Sequence, residues 1–183
     1  MAVHDKIIEG KLLYFRPVSL EDAEYILQLR LDPAINQFLN KVDNSLEKQK
    51  AWISQQVERD NDYYFVIEDR QNEPVGLISL YGINRGAGEF GRWICTGSAL
   101  HSLESAILIH KFGFESLGLE SIYTNTVVEN KKVVTFHKRF GAHMAGKANH
   151  DEASGFNLLR GEILAQDFQN VFERNMDKLD QFL

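Results

Sequence analysis

An apolar helical segment between two strand-like segments constrains the fold of this chain most. Apolar residues recur at helical spacing over residues 103–117. The segments EFGRWIC and SIYTNTVV, which precede and follow the helical segment, are rich in residues that favour strands. Two parallel strands need a long crossover, which is usually a helix, and this arrangement therefore predicts a parallel pair within one sheet.

An antiparallel meander is predicted just before that crossover. The segments YYFVIED, VGLISLYGI and EFGRWIC, separated by the turn-forming stretches RQNEP and RGAG, place it at residues 63–95. Helices are expected after the capping residues Ser19 and Asn44, over residues 130–140, and as an amphipathic C-terminal helix at about 166–183. These elements predict an α/β (α+β) fold with a mixed, mostly antiparallel sheet flanked by helices.

Composition limits the number of domains and the classes of partner. With 183 residues the chain can bury one sizeable core, and we expect a single domain over residues 1–183. A net charge of −6 without a run of Lys and Arg argues against a nucleic-acid partner, and no apolar run is long enough to predict a membrane span. The N-terminal segment MAVHDKIIEGKLLYF has no signal-peptide pattern, and the single cysteine, Cys95, fits a reducing compartment, so we expect a cytoplasmic protein.

Three longer segments resemble the GNAT N-acetyltransferases of the ribosomal-protein (Rim) type. They are YFRPVSLEDAEYILQLRLDPAINQFL, then EPVGLISLYGI with GEFGRWI, and finally GLESIYTNTVVENKKVVTFHKRFGA. The resemblance covers roughly residues 11–165 and implies a GNAT fold, in which two central strands splay apart. The segment AWISQQVERDNDYYFVIED is also similar to GNAT enzymes that acetylate amino sugars on nucleotide carriers.

The resemblance implies acetyl-CoA as the co-substrate and no metal. In this family the pantetheine arm lies between the splayed strands and pairs with backbone that corresponds here to Trp93, Ile94 and Cys95. A backbone N–H near Ile94 would be the donor to the oxyanion. Asn130 corresponds to a residue that contacts the cofactor or caps the next helix. The phosphates rest on the loop and helix N-terminus that correspond to Thr96, Gly97, Ser98, Ala99, Leu100, His101 and Ser102.

That phosphate-binding loop departs from the family pattern, Gln/Arg-x-x-Gly-x-Gly/Ala. Thr96 replaces the basic or amide residue, and Ala99 and His101 replace glycines. A phosphate site needs free backbone N–H groups and the positive end of a helix dipole, so we still expect the loop to bind coenzyme A. The alternative is a plain helix cap at Ser98 or Ser102. Glu104, if it lies in the first helical turn, would repel a pyrophosphate.

Two side chains are candidates for proton transfer during acetyl transfer to an amine. Glu89 lies at the start of the strand EFGRWIC, where similar enzymes often place a general base, and strand alternation predicts that it shares a face with Gly91, Trp93 and Cys95. His137 takes the place of the tyrosine in the family pattern N-x-x-A-x-x-L-Y-x-K-x-G-F and would protonate the departing thiolate. The alternatives are a solvated glutamate at a strand end and a histidine on a helix surface.

Three further patterns could indicate a functional site but have a structural alternative. Cys95 could be a nucleophile, but no ordered triad accompanies it, and a lone strand cysteine is usually a small core residue. The segment AHMAGKANHDEAS lacks the tight spacing of metal ligands and is expected to be a polar loop; its candidate ligands would be His143, His150, Asp151 and Glu152. Four aromatic residues either line an acceptor pocket or belong to the core: Trp52, Tyr63, Tyr64 and Tyr81.

These observations predict an acetyl-CoA-dependent N-acetyltransferase that transfers acetyl directly to a primary amine, either a protein N-terminus or an amino sugar. The altered loop and the missing tyrosine leave an alternative, a non-catalytic GNAT-like domain that binds acyl-CoA or has a structural role. The amphipathic C-terminal helix is a candidate for packing within the domain or for a homodimer interface.

Overall fold

The computed structural model describes residues 7–183. The first six residues of the N-terminal segment MAVHDKIIEGKLLYF, which has no signal-peptide pattern, lie outside this range. Nine strands in this range form one sheet: β1 (Ile8–Glu9), β2 (Leu13–Pro17), β3 (Tyr63–Asp69), β4 (Pro74–Asn84), β5 (Ala87–Cys95), β6 (Ser121–Val127), β7 (His143–Met144), β8 (Asn149–His150) and β9 (Asn157–Leu164). The strand order is β1-β2-β3-β4-β5-β6-β9-β7, and β8 also pairs with β9.

Helices cover both faces of this sheet. The α-helices of the described range are α1 (Ala23–Leu31), α2 (Leu46–Val57), α3 (Ala99–Lys111), α4 (Lys131–Phe140) and α5 (Ala165–Asp180). A π-helical turn at Phe112–Ser116 extends α3, and 3-10 turns at Leu20–Asp22 and Asn36–Phe38 flank α1. Between residues 7 and 183, no helix has the length and apolar character needed to cross a bilayer.

The central crossover has the predicted topology. Strand β5 pairs with β6 in parallel, with α3 connecting the two, and the other strand pairs of the described sheet are antiparallel. The predicted mixed, mostly antiparallel sheet flanked by helices is therefore confirmed. The two-residue strands β1, β7 and β8 are too short to produce a periodic pattern and were not predicted.

Strand β3 shows how the sheet separates two apolar layers. Phe65 and Ile67 point into the layer beneath α3 and α5, whereas Tyr64 and Val66 point into the layer beneath α1 and α2. All four side chains are buried, because helices cover both faces. The C-terminal helix α5 contributes Val171 to the first layer.

Helix starts follow the capping rules with one correction. Ser19 and Asp22 form the predicted box, since the Ser19 N–H donates to Asp22 Oδ2 at 2.7 Å. At α2, however, the cap is Ser45, whose Oγ accepts from the Lys48 N–H at 3.2 Å. The prediction of Asn44 was wrong by one residue, because Asn and Ser are both good N-caps and only the backbone geometry selects between them.

Strands β5 and β6 separate after a short paired segment. Their register runs only over Ala87–Ser121, Gly88–Ile122 and Glu89–Tyr123. Strand β5 continues to Cys95 paired with β4 alone. Beyond Glu89, one edge of β5 is therefore left without a strand partner, as in the predicted splayed pair.

A bulge at Arg92 changes which residues of β5 share a face. Arg92 has a φ of 47°, and the register with β4 shifts between the Ser79–Gly91 and Leu77–Ile94 pairs. Trp93 consequently lies beside Phe90, with ring centroids 5.3 Å apart, on the α3 face. The prediction that Glu89 and Trp93 share a face was wrong, because strict alternation does not survive a bulge.

Candidate functional site

A cleft of about 700 Å³ opens where β5 and β6 separate. Its walls are the end of β5, the N-terminus of α3, and side chains of α4 and α5. Five residues predicted from the sequence to bind the cofactor line it: Trp93, Cys95, Gly97, Ala99 and Ser102. Residues that are distant in sequence thus meet at the free edge of β5.

Trp93 and Cys95 fix the inner end of this cleft. The Trp93 Nε1–H donates to Ser105 Oγ at 3.2 Å, and its ring packs on Phe136 with centroids 4.9 Å apart. Cys95 is a half-buried free thiol whose backbone pairs with Gly76 of β4. The β6 side of this backbone is left open for a ligand with amide groups.

The N-terminus of α3 begins at Ser98, as one of the predicted caps. Ser98 Oγ accepts from the His101 N–H at 3.2 Å, and His101 Nδ1 accepts in return from the Ser98 N–H at 3.3 Å. The ring of His101 lies so close to the loop that a Cβ on Gly97 would be 2.2 Å from Nδ1. The single glycine of the loop is therefore needed for this cap rather than for a positive φ.

The first turn of α3 still offers donors to an anion. The first N–H groups of a helix have no intrahelical acceptor, and together with the helix dipole they attract negative charge. In the described chain no bond to the N–H of Ala99 or Leu100 is present, whereas the Ser102 N–H closes the first helical bond to Ser98. Ala99 and Ser102 belong to the cleft lining.

The remaining predicted binding residues lie around the cleft rather than in its lining. Both the N–H and the Oγ1–H of Thr96 donate to the Val75 carbonyl, at 2.9 and 3.1 Å. Ile94 and Leu100 pack against the two apolar layers. Asn130 caps α4 by accepting from the Val133 N–H at 3.4 Å, which is the capping role foreseen for it.

Four cations that were not predicted from the sequence line the cleft: Lys131, Lys132, Arg139 and Lys178. Lys131 and Lys132 occupy the first turn of α4, where the helix dipole disfavours positive charge. That unfavourable placement directly after the capping residue Asn130 was a signal in the sequence. Arg139 and Lys178 carried no such signal, because only the packing of α5 against the rest of the fold brings Lys178 to the cleft.

Lys178 shows that these cations crowd one another. Its pKa is lowered by partial burial and by the charges of Arg174 and Arg139. Its Nζ contacts only an amide oxygen, Asn175 Oδ1 at 3.4 Å, within the described residues. The repulsion between these groups favours the binding of an anion in the cleft.

His137 lies beneath the cleft in a ring of aromatic side chains. It is 4% exposed, and its ring centroid lies 5.5 Å from that of Phe90 and 5.9 Å from that of Trp93. Burial, with a smaller effect from His110, lowers its pKa to about 3. The alternative of a surface histidine was wrong, because this side of α4 faces the core. The role of a proton donor stays a prediction, and a neutral buried imidazole counts against it.

Glu89 lies on the opposite face of β5, in a polar cluster. Desolvation by burial raises its pKa, whereas hydrogen bonds with Tyr81 and Asn125 and the nearby charges of Arg160 and Arg92 act against that rise. The alternative of a fully solvated strand-end carboxylate does not fit this environment. A partly buried carboxylate with a raised pKa is suited to accept a proton.

The aromatic group predicted as a pocket or a core divides between the two faces of the sheet. Three rings surround the Arg92 guanidinium, with centroid distances of 5.2 Å for Trp52, 5.5 Å for Tyr64 and 4.1 Å for Tyr81. Asp62 pairs with this guanidinium through two hydrogen bonds, of 2.5 and 3.0 Å. Tyr63 packs on the other face of the sheet. Trp52, Tyr64 and Tyr81 therefore surround an internal cation, the Arg92 guanidinium.

Glu104 does not oppose an anion at the helix N-terminus. It lies in the second turn of α3, is buried, and accepts from the N–H groups of Lys11, Leu12 and Leu13 at 2.6, 2.8 and 2.7 Å. Its carboxylate anchors the turn before β2. The sequence could not reveal this role, because the partner segment is about 90 residues away.

The polar segment that was expected to be a loop contains two short strands, β7 and β8, which pair with β9. Asp151 Oδ2 accepts from the Ser154 N–H at 2.9 Å, and His150 Nδ1 lies 3.2 Å from Asn157 Oδ1. His143 lies 3.7 Å from Asp167 of α5. Across residues 7–183, no group of three or more His, Cys, Asp and Glu side chains is arranged to hold a metal ion.

Comparison with known proteins agrees with this architecture. The acetyltransferase (GNAT) domain model matches residues 13–143. An SPbeta prophage-derived uncharacterized N-acetyltransferase, YokL of Bacillus subtilis (strain 168), is 21% identical over 147 residues, which are 75% of this chain and 80% of that protein.

Two solved structures share the fold. Apo FdhC, described as a nucleotide-linked sugar GNAT, has a TM-score of 0.79 and 24% identity, with 97% of this chain and 98% of FdhC covered. Spermidine N-acetyltransferase from Vibrio cholerae in complex with CoA and spermine has a TM-score of 0.77 and 22% identity, with 86% of this chain and 98% of that chain covered. With the domain model matching most of the chain, this protein belongs to the GNAT acetyltransferase family.

Proposed function

We propose that this protein transfers an acetyl group from acetyl-CoA directly to a primary amine. The observation that supports this most is the separation of β5 from β6 after Glu89. It leaves a free strand edge beside a cleft that also holds a helix N-terminus and four cations.

The residues of the cleft fit coenzyme A. The free edge of β5 from Trp93 to Cys95 offers backbone groups to the amide-bearing pantetheine arm. The N-terminus of α3 and the side chains of Lys131 and Lys132 suit the phosphates. Acetyl-CoA, when bound, supplies an acyl group already activated as a thioester.

Glu89 is proposed as the general base. An amine attacks only when it is neutral, so the ammonium form of the acceptor must lose a proton, directly or through a water molecule. The raised pKa of Glu89, due mainly to burial, makes it a stronger base than an exposed glutamate. Tyr81 and Asn125 stabilise the ionised carboxylate and so oppose the effect of burial on its pKa.

The acceptor classes that we propose are a protein N-terminus and an amino sugar. The described names of two relatives support an amine-bearing acceptor, since one is a spermidine N-acetyltransferase and the other a nucleotide-linked sugar GNAT. A cytoplasmic setting and a homodimer are part of the proposal. The half-buried free thiol of Cys95 fits the first.

Release of free thiol from acetyl-CoA in the presence of a panel of amines tests this function. Acetyl transfer predicts release that depends on the amine, together with a thermal shift on addition of coenzyme A. The alternative, a non-catalytic domain, predicts the thermal shift without release for any amine in the panel. The absence of both signals would refute either form of the proposal.

A further inference from the structure

A second cleft, of about 870 Å³, lies on the other side of the sheet from the first. The end of α1, the loop at residues 36–42 and the loop before β9 form its walls. Its charged lining residues are Arg30 and Lys41, and Asn36, Gln37 and Asn40 add amide groups. Within residues 7–183, no Asp or Glu lines it, although the chain as a whole carries a net charge of −6.

Arg30 is incompletely paired in this cleft. One terminal nitrogen, Nη2, donates to the Asn40 carbonyl at 2.9 Å, but the buried Nε has no hydrogen-bond partner. In the described chain no carboxylate forms an ion pair with it, whereas the nearby Arg92 has two bonds to Asp62. Arg30 is partly buried, and a partly desolvated guanidinium without an anion is less stable than one that has a negatively charged ligand.

Three aspartates close in sequence to the cleft walls have partners of their own. Asp32 Oδ1 accepts from the Ala34 N–H at 2.8 Å. Asp43 pairs with Lys48, and Asp151 accepts from Ser154. No carboxylate is among the groups that shift the pKa of Arg30, so the positive charge of the cleft remains available to a ligand.

Arg30 and the proposed base lie on the same face of the sheet. Arg92 lies 5.5 Å from the centre of the Tyr64 ring, and Tyr64 belongs to the apolar layer beneath α1, the helix that carries Arg30. Arg92 lies 4.1 Å from the centre of the Tyr81 ring, and Tyr81 in turn hydrogen-bonds Glu89. The second cleft and Glu89 therefore lie on the same face of the sheet, opposite to Trp93 and to the first cleft, which opens between β5 and β6.

We propose that the acceptor is an amine that also carries a phosphate or carboxylate group, and that Arg30 binds this anionic group while the amine faces Glu89. The inference rests on the proposed acetyl transfer and adds the class of substrate. Arginine recognises both anions through paired N–H donors. The same positive charge disfavours a polyamine, since a cation would have to enter beside Arg30 and Lys41.

Pairs of amines that differ only in the anionic group test the inference with the wild-type protein. Glucosamine 1-phosphate against glucosamine tests phosphate, a free amino acid against its amide tests carboxylate, and spermidine represents the polyamines. We expect at least one anionic member to have a kcat/KM about tenfold or more above that of its uncharged partner. Whichever pair shows the larger ratio identifies the anion. Ratios near one in both pairs, or a preference for spermidine, would overturn the inference while acetyl transfer stands.

Substitutions of Arg30 locate the anion. Arg30→Gln should lower kcat/KM for the anionic amine about 10- to 100-fold and change that for the uncharged partner little, because one charge-assisted contact is lost. Arg30→Lys should recover part of the loss. Lys50→Gln, which removes an exposed charge from α2 outside the cleft, should leave both values unchanged.

The affinity for coenzyme A separates this inference from misfolding and from the proposed function. This affinity should be the same in all variants, because the first cleft, proposed to bind coenzyme A, is on the other face of the sheet from Arg30. Equal losses for charged and uncharged amines in Arg30→Gln would overturn the inference. Binding of coenzyme A without transfer to any amine would instead overturn the proposed function, and the inference with it.

Discussion

The surroundings of Glu89 bear most directly on its proposed role as the general base. Burial raises its pKa, and this effect exceeds the opposing effects of two hydrogen bonds and two arginines. A glutamate at a solvated strand end would be mostly ionised but weakly basic. The cluster around Glu89 thus gives its carboxylate a higher affinity for a proton than that of an exposed glutamate.

Replacement of Glu89 tests that role. We expect Glu89→Gln to lower kcat about 10²-fold or more with the KM for acetyl-CoA little changed, because the amide cannot accept the proton. In the wild type, activity should fall as the pH drops through the raised pKa of Glu89. The defect of the variant should shrink at high pH, where the acceptor amine is already neutral. Steady-state kinetics over pH would measure both effects.

The matched control is Glu73→Gln, at an exposed turn between β3 and β4. It removes a carboxylate without touching the cluster and should leave kcat unchanged. A wild-type kcat in Glu89→Gln, with chemistry shown to limit the rate, would contradict the assignment of Glu89 as the base.

Replacement of His137 tests whether the inner side of α4 has a catalytic or a structural role. Its pKa of about 3 leaves it neutral at working pH, so we expect His137→Phe to keep kcat within about tenfold of the wild type. Protonation favours the unfolded chain, because the folded pKa lies below the ordinary value of 6.5. The wild type should therefore lose stability as the pH falls from about 6.5 toward 3, and His137→Phe should lose less.

Two further variants control this experiment. His143→Gln removes an exposed imidazole and should follow the wild-type dependence of Tm on pH. If His137 is instead the proton donor predicted from the family pattern, His137→Phe should reduce kcat strongly and His137→Tyr should restore it. That result would contradict the structural role.

Individual site residues were predictable from the sequence where the chemistry is local. The cap at Ser98 and the position of Glu89 follow from short segments, and the structure has them there. The burial of His137 was not predictable, because it depends on Phe90 and Trp93 of another element. The cations Lys131 and Lys178 likewise meet only through packing.

Among the elements, the start of α3 depends on a close approach between a loop and its helix. A Cβ at residue 97 would lie 2.2 Å from His101 Nδ1. We expect Gly97→Ala to displace the His101 ring and to cost on the order of 1 kcal/mol, the usual value of a helix cap. In a His101→Ala background, the same substitution should cost little, because the ring is already gone.

A double-mutant cycle in chemical denaturation measures this coupling. Gly146→Ala, at a loop position where a Cβ meets open space, is the control for replacing a glycine. Equal costs of Gly97→Ala in both backgrounds would show that Gly97 serves another purpose than making room for His101.

Helix α4 presents its first turn to the cleft between β5 and β6 despite the unfavourable dipole. Lys131→Gln together with Lys132→Gln should raise the Kd of coenzyme A about tenfold or more, through loss of two contacts with phosphate. Lys138→Gln removes an exposed charge from the same helix outside the cleft lining and should change nothing. Titration calorimetry would compare the variants. Identical affinities for the double variant and the control would place the phosphates elsewhere.

The order of the longer elements was predictable because each has a strong period of its own. The parallel pair β5–β6 followed from the apolar helix between two strands, and the structure confirms it. The bulge at Arg92 was not predictable, since it depends on the pairing of β4 with β5 and on the aromatic rings around its guanidinium. It nevertheless decides which side chains of β5 reach each face.

At the scale of the whole molecule, β5 lines one cleft and presents other side chains to the opposite face of the sheet. Its free edge and Trp93 border the cleft between β5 and β6, whereas Arg92 packs on Tyr64 in the layer beneath α1 and α2. The C-terminal helix α5 packs against α3, buries Phe168 and Val171, and supplies Lys178. Its packing role is thus accounted for within the chain, and a homodimer role stays a prediction.

Charge is distributed unevenly over this molecule. The chain carries a net charge of −6, yet both clefts are lined by cations. Net charge alone predicts repulsion of coenzyme A, which is itself an anion, whereas the local cations predict attraction. Salt weakens whichever of the two interactions dominates, since it screens exposed charges over a Debye length of about 10 Å at 0.1 M.

The salt dependence of coenzyme A binding therefore has a sign that decides between them. We expect the Kd to rise between about 0.05 M and about 0.5 M salt, because the cations within a Debye length of the phosphates outweigh more distant carboxylates. The rise should be smaller when Lys131 and Lys132 are both replaced by glutamine, and unchanged in Lys138→Gln. Calorimetry in a series of chloride concentrations would measure it. A Kd that falls as salt is added would mean that the overall negative charge governs binding, and the cation-lined cleft would then not be where the phosphates lie.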